Sequence, residues 1–262
     1  MNNEKQPVFF VSHGSPMMAV ETSITSQFLQ RLGKDFAPPK AIVVFSAHFD
    51  LNEDIVITSG KAPSTVHDFY GFPQALYQIN YNAPGSPVLA EEIASRFKQA
   101  GYKPNLSAAQ GWDHGVWIPL RLMYPEANIP VVQVSINSHL DPQTNYNYGA
   151  LLASLRDEGV MIIGSGGVSH NLRELFNPNP TSNRVEKVQT FVSWVNHKLG
   201  AGDKQAMLNY LNEAPHVMFN HPTQEHFVPL IAVLGASDGD KAINIHTATE
   251  NEVLALDAYK FN

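Results

Sequence analysis

Eleven histidines and no cysteine stand in this 262-residue chain, so a tight metal site here would be built from imidazole and carboxylate, without thiolate. A lone histidine is usually a surface or hydrogen-bonded core residue, and context must argue otherwise. His13 follows the apolar run Val8-Phe9-Phe10-Val11 and precedes Gly14-Ser15-Pro16; His48 follows Ile42-Val43-Val44-Phe45-Ser46-Ala47. Each run reads as a strand that delivers an imidazole just past its carboxyl end, where open α/β sheets place their ligands. The plainer alternative is a histidine that caps each strand through a loop hydrogen bond. Recurrence at two strand ends favours the ligand reading.

Other histidines have weaker contexts. His170 follows Met161-Ile162-Ile163-Gly164-Ser165-Gly166-Gly167-Val168-Ser169, where the glycines would let the backbone pass close to a ligand. The turn has neither the lysine nor the spacing of a nucleotide fingerprint. An imidazole delivered into the cleft of His13 and His48 is therefore a better reading than a phosphate cradle. His114, in Gly111-Trp112-Asp113-His114-Gly115-Val116-Trp117, either orients a substrate against an aromatic wall or sits in a tight turn with both indoles in the core. Thr223 reads as the N-cap of a helix whose apolar face is Phe227, Leu230, Ile231 and Leu234, which puts His226 in the first turn; His221 competes for the same role. His67 lies in an aromatic loop, Val66-His67-Asp68-Phe69-Tyr70-Gly71-Phe72-Pro73, a candidate substrate wall. His139, His197, His216 and His246 have no supporting context. Three imidazole nitrogens suit one divalent ion, Zn2+ or Fe2+.

The elements that must position these side chains are also legible. Continuous, β-branched or aromatic runs over residues 8–11, 41–45, 131–136 and 160–163 fit strands buried on both faces. Helices are expected over 86–101, with Ser86 as N-cap, Pro87 at the first position and Gly101 as stop, and over 145–157 and 184–199. Residues 243–261 read as two strands around Thr249-Glu250-Asn251, an antiparallel edge. The alternation predicts an α/β fold, a central mixed, largely parallel sheet flanked by helices. With no repeat or linker, one catalytic domain over 1–262 is expected.

Composition narrows the function classes. Hydrophobic residues make up 44% and charged residues 16%, and the net charge is -7. Lysine and arginine are too sparse for a phosphate-binding stripe, so no nucleic-acid partner is expected. No run approaches the roughly 18 apolar residues of a membrane span, and the polar start Met1-Asn2-Asn3-Glu4-Lys5-Gln6 lacks a signal peptide's apolar stretch. A cytoplasmic location without membrane association is the expectation.

Six segments in fixed order now carry a resemblance. They are His13-Gly14-Ser15-Pro16, Ser46-Ala47-His48, His67 to Pro73, Trp112-Asp113-His114-Gly115, Gly167-Val168-Ser169-His170-Asn171-Leu172 and Pro222-Thr223-Gln224-Glu225-His226. Together they resemble the class III extradiol ring-cleavage dioxygenases, specifically the 4,5-DOPA dioxygenase branch related to the catalytic subunit of protocatechuate 4,5-dioxygenase. The likeness runs from about residue 7 to residue 236.

The resemblance implies His13, His48 and His226 as metal ligands, His170 as acid/base, and His114 as an aid to binding or proton transfer. In the protocatechuate enzymes the third ligand is a glutamate; here the matching position is His226. Glu225, expected to point about 100° away on a helix, is not promoted. Members of this branch are described as zinc-binding, whereas ring cleavage in the class uses Fe2+, so Fe2+ is the ion expected for catalysis. The implied substrates are a small catechol and O2, both of whose atoms enter the ring beside the two hydroxyls. A catechol that binds through two oxygens beside O2 leaves room for only three protein ligands. A neutral imidazole takes a hydroxyl proton and later returns one. Phe72, Trp112 and Trp117, with His67, are candidates for holding the ring.

Two other readings use the same residues. A zinc hydrolase would activate water with the three histidines, and turnover without O2 would favour it. A non-enzymatic binding protein on the same fold would purify without metal; the presence of His170 beside the full ligand set weighs against it.

Overall fold

The expected strands, covered on both faces, are present in the computed structural model, which describes residues 5–52 and 55–262. Residues 1–4, the start of the polar N-terminus, lie outside the described residues. The strands are β1 (Val8–Ser12), β2 (Ala41–Asp50), β3 (Val56–Thr58), β4 (Asn105–Ser107), β5 (Val131–Ile136), β6 (Val160–Gly166), β7 (Ala242–His246), β8 (Thr249–Glu250), β9 (Leu254–Ala255) and β10 (Ala258–Phe261). Eight of them form one sheet in the order β4-β3-β5-β2-β6-β1-β10-β7, and β8 pairs with β9 in a separate hairpin. The centre, β5-β2-β6-β1, is parallel; β10 runs antiparallel to β1, β7 antiparallel to β10, and β3 antiparallel to β5. The chain is thus α/β, with a mixed, mostly parallel sheet.

Along each central strand, alternate residues enter two different cores. Val8 and Phe10 of β1, with Val43 and Phe45 of β2, face the helices Pro87–Gln99, Arg184–Ala201 and Val228–Ala236. Phe9 and Val11, with Ile42 and Val44, face Ile24–Asp35 and His114–Met123. This is why the runs read as continuous and not alternating: both faces are dry, and each large side chain so buried contributes roughly 1.5–3 kcal/mol. No helix among the described residues is long and apolar enough to cross a membrane.

Several boundaries differ from the sequence expectation. The strand expected to end at Phe45 continues to Asp50 after a register shift, so His48 lies within its irregular end and does not close it. The helix expected over 145–157 is two pieces: Pro142–Ala150, capped by the Asp141 side chain, and a 3-10 turn over Ala153–Glu158. The C-terminal segment supplies four strands, of which β7 and β10 form the antiparallel edge. Thr223 caps no helix. The last long helix begins at Val228, with Pro229 in its first turn, where a missing N–H costs nothing. His226 therefore sits in the turn before the helix.

Candidate metal centre

The parallel strands bring their carboxyl ends together, and five of the histidines singled out by sequence gather there. His13 continues β1 by one residue, its N–H donating to Gly166 O of β6 at 3.1 Å. On β2, the backbone N–H of His48 donates to Ser46 Oγ at 3.2 Å. His114 opens the helix His114–Met123. That helix starts so close beneath β2 that a Cβ on Gly115 would collide with Ser46 Oγ and crowd His48, so only glycine fits there. His226 is docked by a second close approach. Gly167 N–H donates to His226 O at 2.9 Å, and a Cβ on Gly166 would strike that same carbonyl. Gly166 and Gly167, at the end of β6, line the cleft as expected, and Gly166 also makes room for the chain's own backbone at His226.

Each of the three imidazoles expected to bind metal has one ring nitrogen turned to a protein oxygen. His13 Nδ1 lies 3.0 Å from Ser165 Oγ, whose own proton goes to Gly115 O. The hydroxyl has no second proton to give, so His13 Nδ1 must donate and its Nε2 carries a lone pair. His226 Nδ1 lies 3.0 Å from Glu225 Oε1, which also only accepts. His48 Nδ1 is 3.5 Å from Asp68 Oδ2, and His114 Nδ1 is 3.0 Å from the same oxygen. Asp68 is held in place by its other oxygen, which accepts from the backbone N–H of His114 at 3.0 Å. Partners of this kind hold metal-binding imidazoles in one tautomer and orientation.

The remaining nitrogens of His13 and His48 converge. His13 Nε2 and His48 Nε2 are 3.0 Å apart, within the roughly 2.9–3.3 Å expected of two nitrogens about 2.0–2.1 Å from one shared ion. The ring centroids of His13, His48 and His226 form a nearly equilateral triangle with sides of 4.9, 5.1 and 5.4 Å. Donor atoms of His13, His48 and His114 lie within 4.8 Å of one another, and those of His170, Glu225 and His226 do likewise. Either group offers donors suited to a divalent cation.

Charge points the same way. Burial, then the surrounding imidazoles, hold His13 and His226 well below the usual histidine range. Burial and His114 lower His48 to about 3 against the opposing pull of Asp68, and burial lowers His170 to about 4. These four rings are neutral at pH 7, with lone pairs available for a cation. Burial raises the Asp68 carboxyl, but its bonds to His114 and the nearby His48 prevail and leave it below its ordinary value.

These groups open into a cleft of about 1090 Å³, which His13, His48, His114, His170 and His226 all line. Phe72 lines it too. His67, Trp112 and Trp117 do not, and their expected role on the wall is corrected. Both indoles are fully buried, with Trp112 Nε1 donating to Ala83 O and Trp117 Nε1 to Val66 O. His67 Nε2 is 3.0 Å from Ile79 O. Trp117 and His67 thereby pin the loop that presents Asp68, Phe69 and Phe72. His221 is buried outside the cleft, its Nε2 2.8 Å from Val168 O. Asp68 and Ser165 carry no signal in the sequence that marks them, and Glu225 is set aside there; all three orient the histidines. The helical projection that sets Glu225 aside does not apply, because Glu225 lies in a turn, where adjacent side chains can meet.

A family model described as the catalytic LigB subunit of aromatic ring-opening dioxygenase matches residues 7–259. The chain is 41% identical over 259 residues to a 4,5-DOPA dioxygenase extradiol of Beta vulgaris, covering 97% of this chain and 95% of the relative. It is 39% identical over 251 residues to one of Escherichia coli K12, covering 94% and 90%. Among solved structures it is similar to an uncharacterized protein from Escherichia coli K12, with a TM-score of 0.81, 32% identity, and coverage of 98% and 100%. The chain belongs to the LigB family of class III extradiol ring-cleavage dioxygenases.

Proposed function

We propose that this enzyme opens a catechol ring beside its two hydroxyls, with 4,5-cleavage of DOPA the reaction its relatives' names support, and that His13, His48 and His226 hold one divalent ion. The observation that carries this is the triangle of three imidazoles, each with its second nitrogen bonded or turned to a protein oxygen. Three rings around one ion would have centroids about 4.5–5.2 Å apart, close to the triangle's sides. His48 and His114 are closer, at 3.8 Å, which supports His226 over His114 as the third ligand.

When bound, Fe2+ supplies the redox change by which a catechol passes electrons to O2, a change zinc lacks. The chain supplies the rest. Phe72, Leu254 and Leu256 line the cleft as apolar surface for the ring. His170 is kept neutral by burial, so it can accept a proton from a catechol hydroxyl and return it later. His114, held by Asp68, lines the same space and steadies a hydroxyl.

The test is metal analysis of anaerobically purified protein, followed by O2 uptake with a panel of catechols. One bound ion per chain and O2 uptake that depends on a catechol are expected. Turnover of a substrate without O2 would return the site to a zinc hydrolase.

A further inference from the structure

The cleft has a second polar feature, distant in sequence from the metal-binding residues. Glu250 of β8 and Asn251 line it, together with Leu254 of β9. The hairpin that carries them is fastened to the turn before His170: Ser169 Oγ donates to Val253 O, and Val168 N–H to Ala255 O at 3.2 Å. Its tip holds two adjacent non-glycine residues in left-handed backbone, Asn251 at φ 50 and Glu252 at φ 65. A tight hairpin turn closed by Val253 N–H donating to Glu250 O at 3.2 Å requires this conformation at both positions.

Among the described residues, three carboxylates line the cleft and no lysine or arginine does. Asp68 and Glu225 are each turned to a histidine. Glu250 is different: no hydrogen-bond donor or cation among the described residues meets its carboxylate. Arg184 is paired with Glu252, which does not line the cleft. Burial and the nearby Glu21 carboxylate both push Glu250 above the usual carboxylate range, and the charge of a cation in the cleft would oppose that shift. A one-sign lining of this kind favours a ligand of the opposite sign and rejects one of the same sign.

We propose that Glu250 and the β8–β9 hairpin form a side-chain subsite that selects catechols bearing an ammonium group over catechols bearing only a carboxylate. The inference rests on the catechol reading above and adds to it the charge of the substituent.

Calorimetric titration of the metal-loaded protein, kept free of O2, tests it with three probes that share the catechol. They are dopamine (cationic), 3,4-dihydroxyphenylpropionate (anionic) and 4-ethylcatechol (neutral). Dopamine should bind about tenfold or more tightly than the propionate, with the gap narrowing at high salt. In Glu250→Gln the ratio of dopamine to 4-ethylcatechol affinity should fall toward one, and in Glu250→Lys the order of the charged probes should invert. Equal binding of the two charged probes by the unmodified protein, or an unchanged preference in Glu250→Gln, overturns the subsite. Failure of 4-ethylcatechol to bind overturns the catechol reading and the subsite with it. Binding of 4-ethylcatechol without charge preference overturns the subsite alone.

Discussion

His170 lies flat on His226, with ring centroids 3.4 Å apart and planes 11° from parallel. Its backbone N–H donates to Asn220 O at 2.9 Å, which fixes the turn that presents it. A ring stacked on a proposed ligand is well placed to move protons without taking a coordination position. His170→Ala should therefore retain the metal and bind a catechol, while turnover falls by roughly 10²- to 10⁴-fold. Metal content and O2 uptake on one preparation check this. Loss of the metal would make His170 a ligand, and full activity would make it structural.

Ser165 fixes the tautomer of His13 from a residue no motif marks. Ser165→Ala removes the acceptor of the His13 Nδ1 proton and should weaken metal binding by about 10- to 100-fold. Competition with a chelator of known affinity reads this directly. An unchanged affinity would show that His13 needs no such partner.

The third ligand is separable by substitution. His13→Ala, His48→Ala and His226→Ala should each abolish stoichiometric metal binding, while His221→Ala retains it because that ring bonds Val168 O outside the cleft. His114→Ala should also retain the metal. Metal content that tracks His114 and not His226 would reassign the site to His13, His48 and His114.

Acid should destabilise the metal-free protein through buried neutral histidines. Burial lowers His221 to about 4 against the opposing Val168 bond, and His170 to about 4, from an ordinary value of 6.5. Between these values the unfolded chain binds protons that the folded chain does not, so stability falls as pH drops from about 6.5 toward 4 and is retained above that window. The urea midpoint of the metal-free protein should be lower at pH 5 than at pH 7. A midpoint that does not change would contradict the assignment.

The sheet and the strand ends are legible in the sequence because a strand buried on both faces leaves a continuous apolar run, as at Val8–Ser12. His13 and His48 follow from the strands. Their partners do not: Ser165 meets His13 across 152 residues, and no local pattern encodes that register. Trp112 and Trp117 mislead because an indole on a cleft wall and one in the core look alike in sequence; here internal carbonyls satisfy both N–H groups. Glu225 is set aside because a helix is expected there, whereas the helix starts only at Val228, with Pro229 in its first turn, leaving residues 225–227 in a turn.

Ring cleavage at an iron site is read by O2 uptake after apo-protein is reconstituted with Fe2+ or Zn2+ and given a catechol. One O2 should be consumed per catechol opened with Fe2+ and none with Zn2+. Equal uptake with zinc, or catechol-independent turnover with either ion, would contradict it.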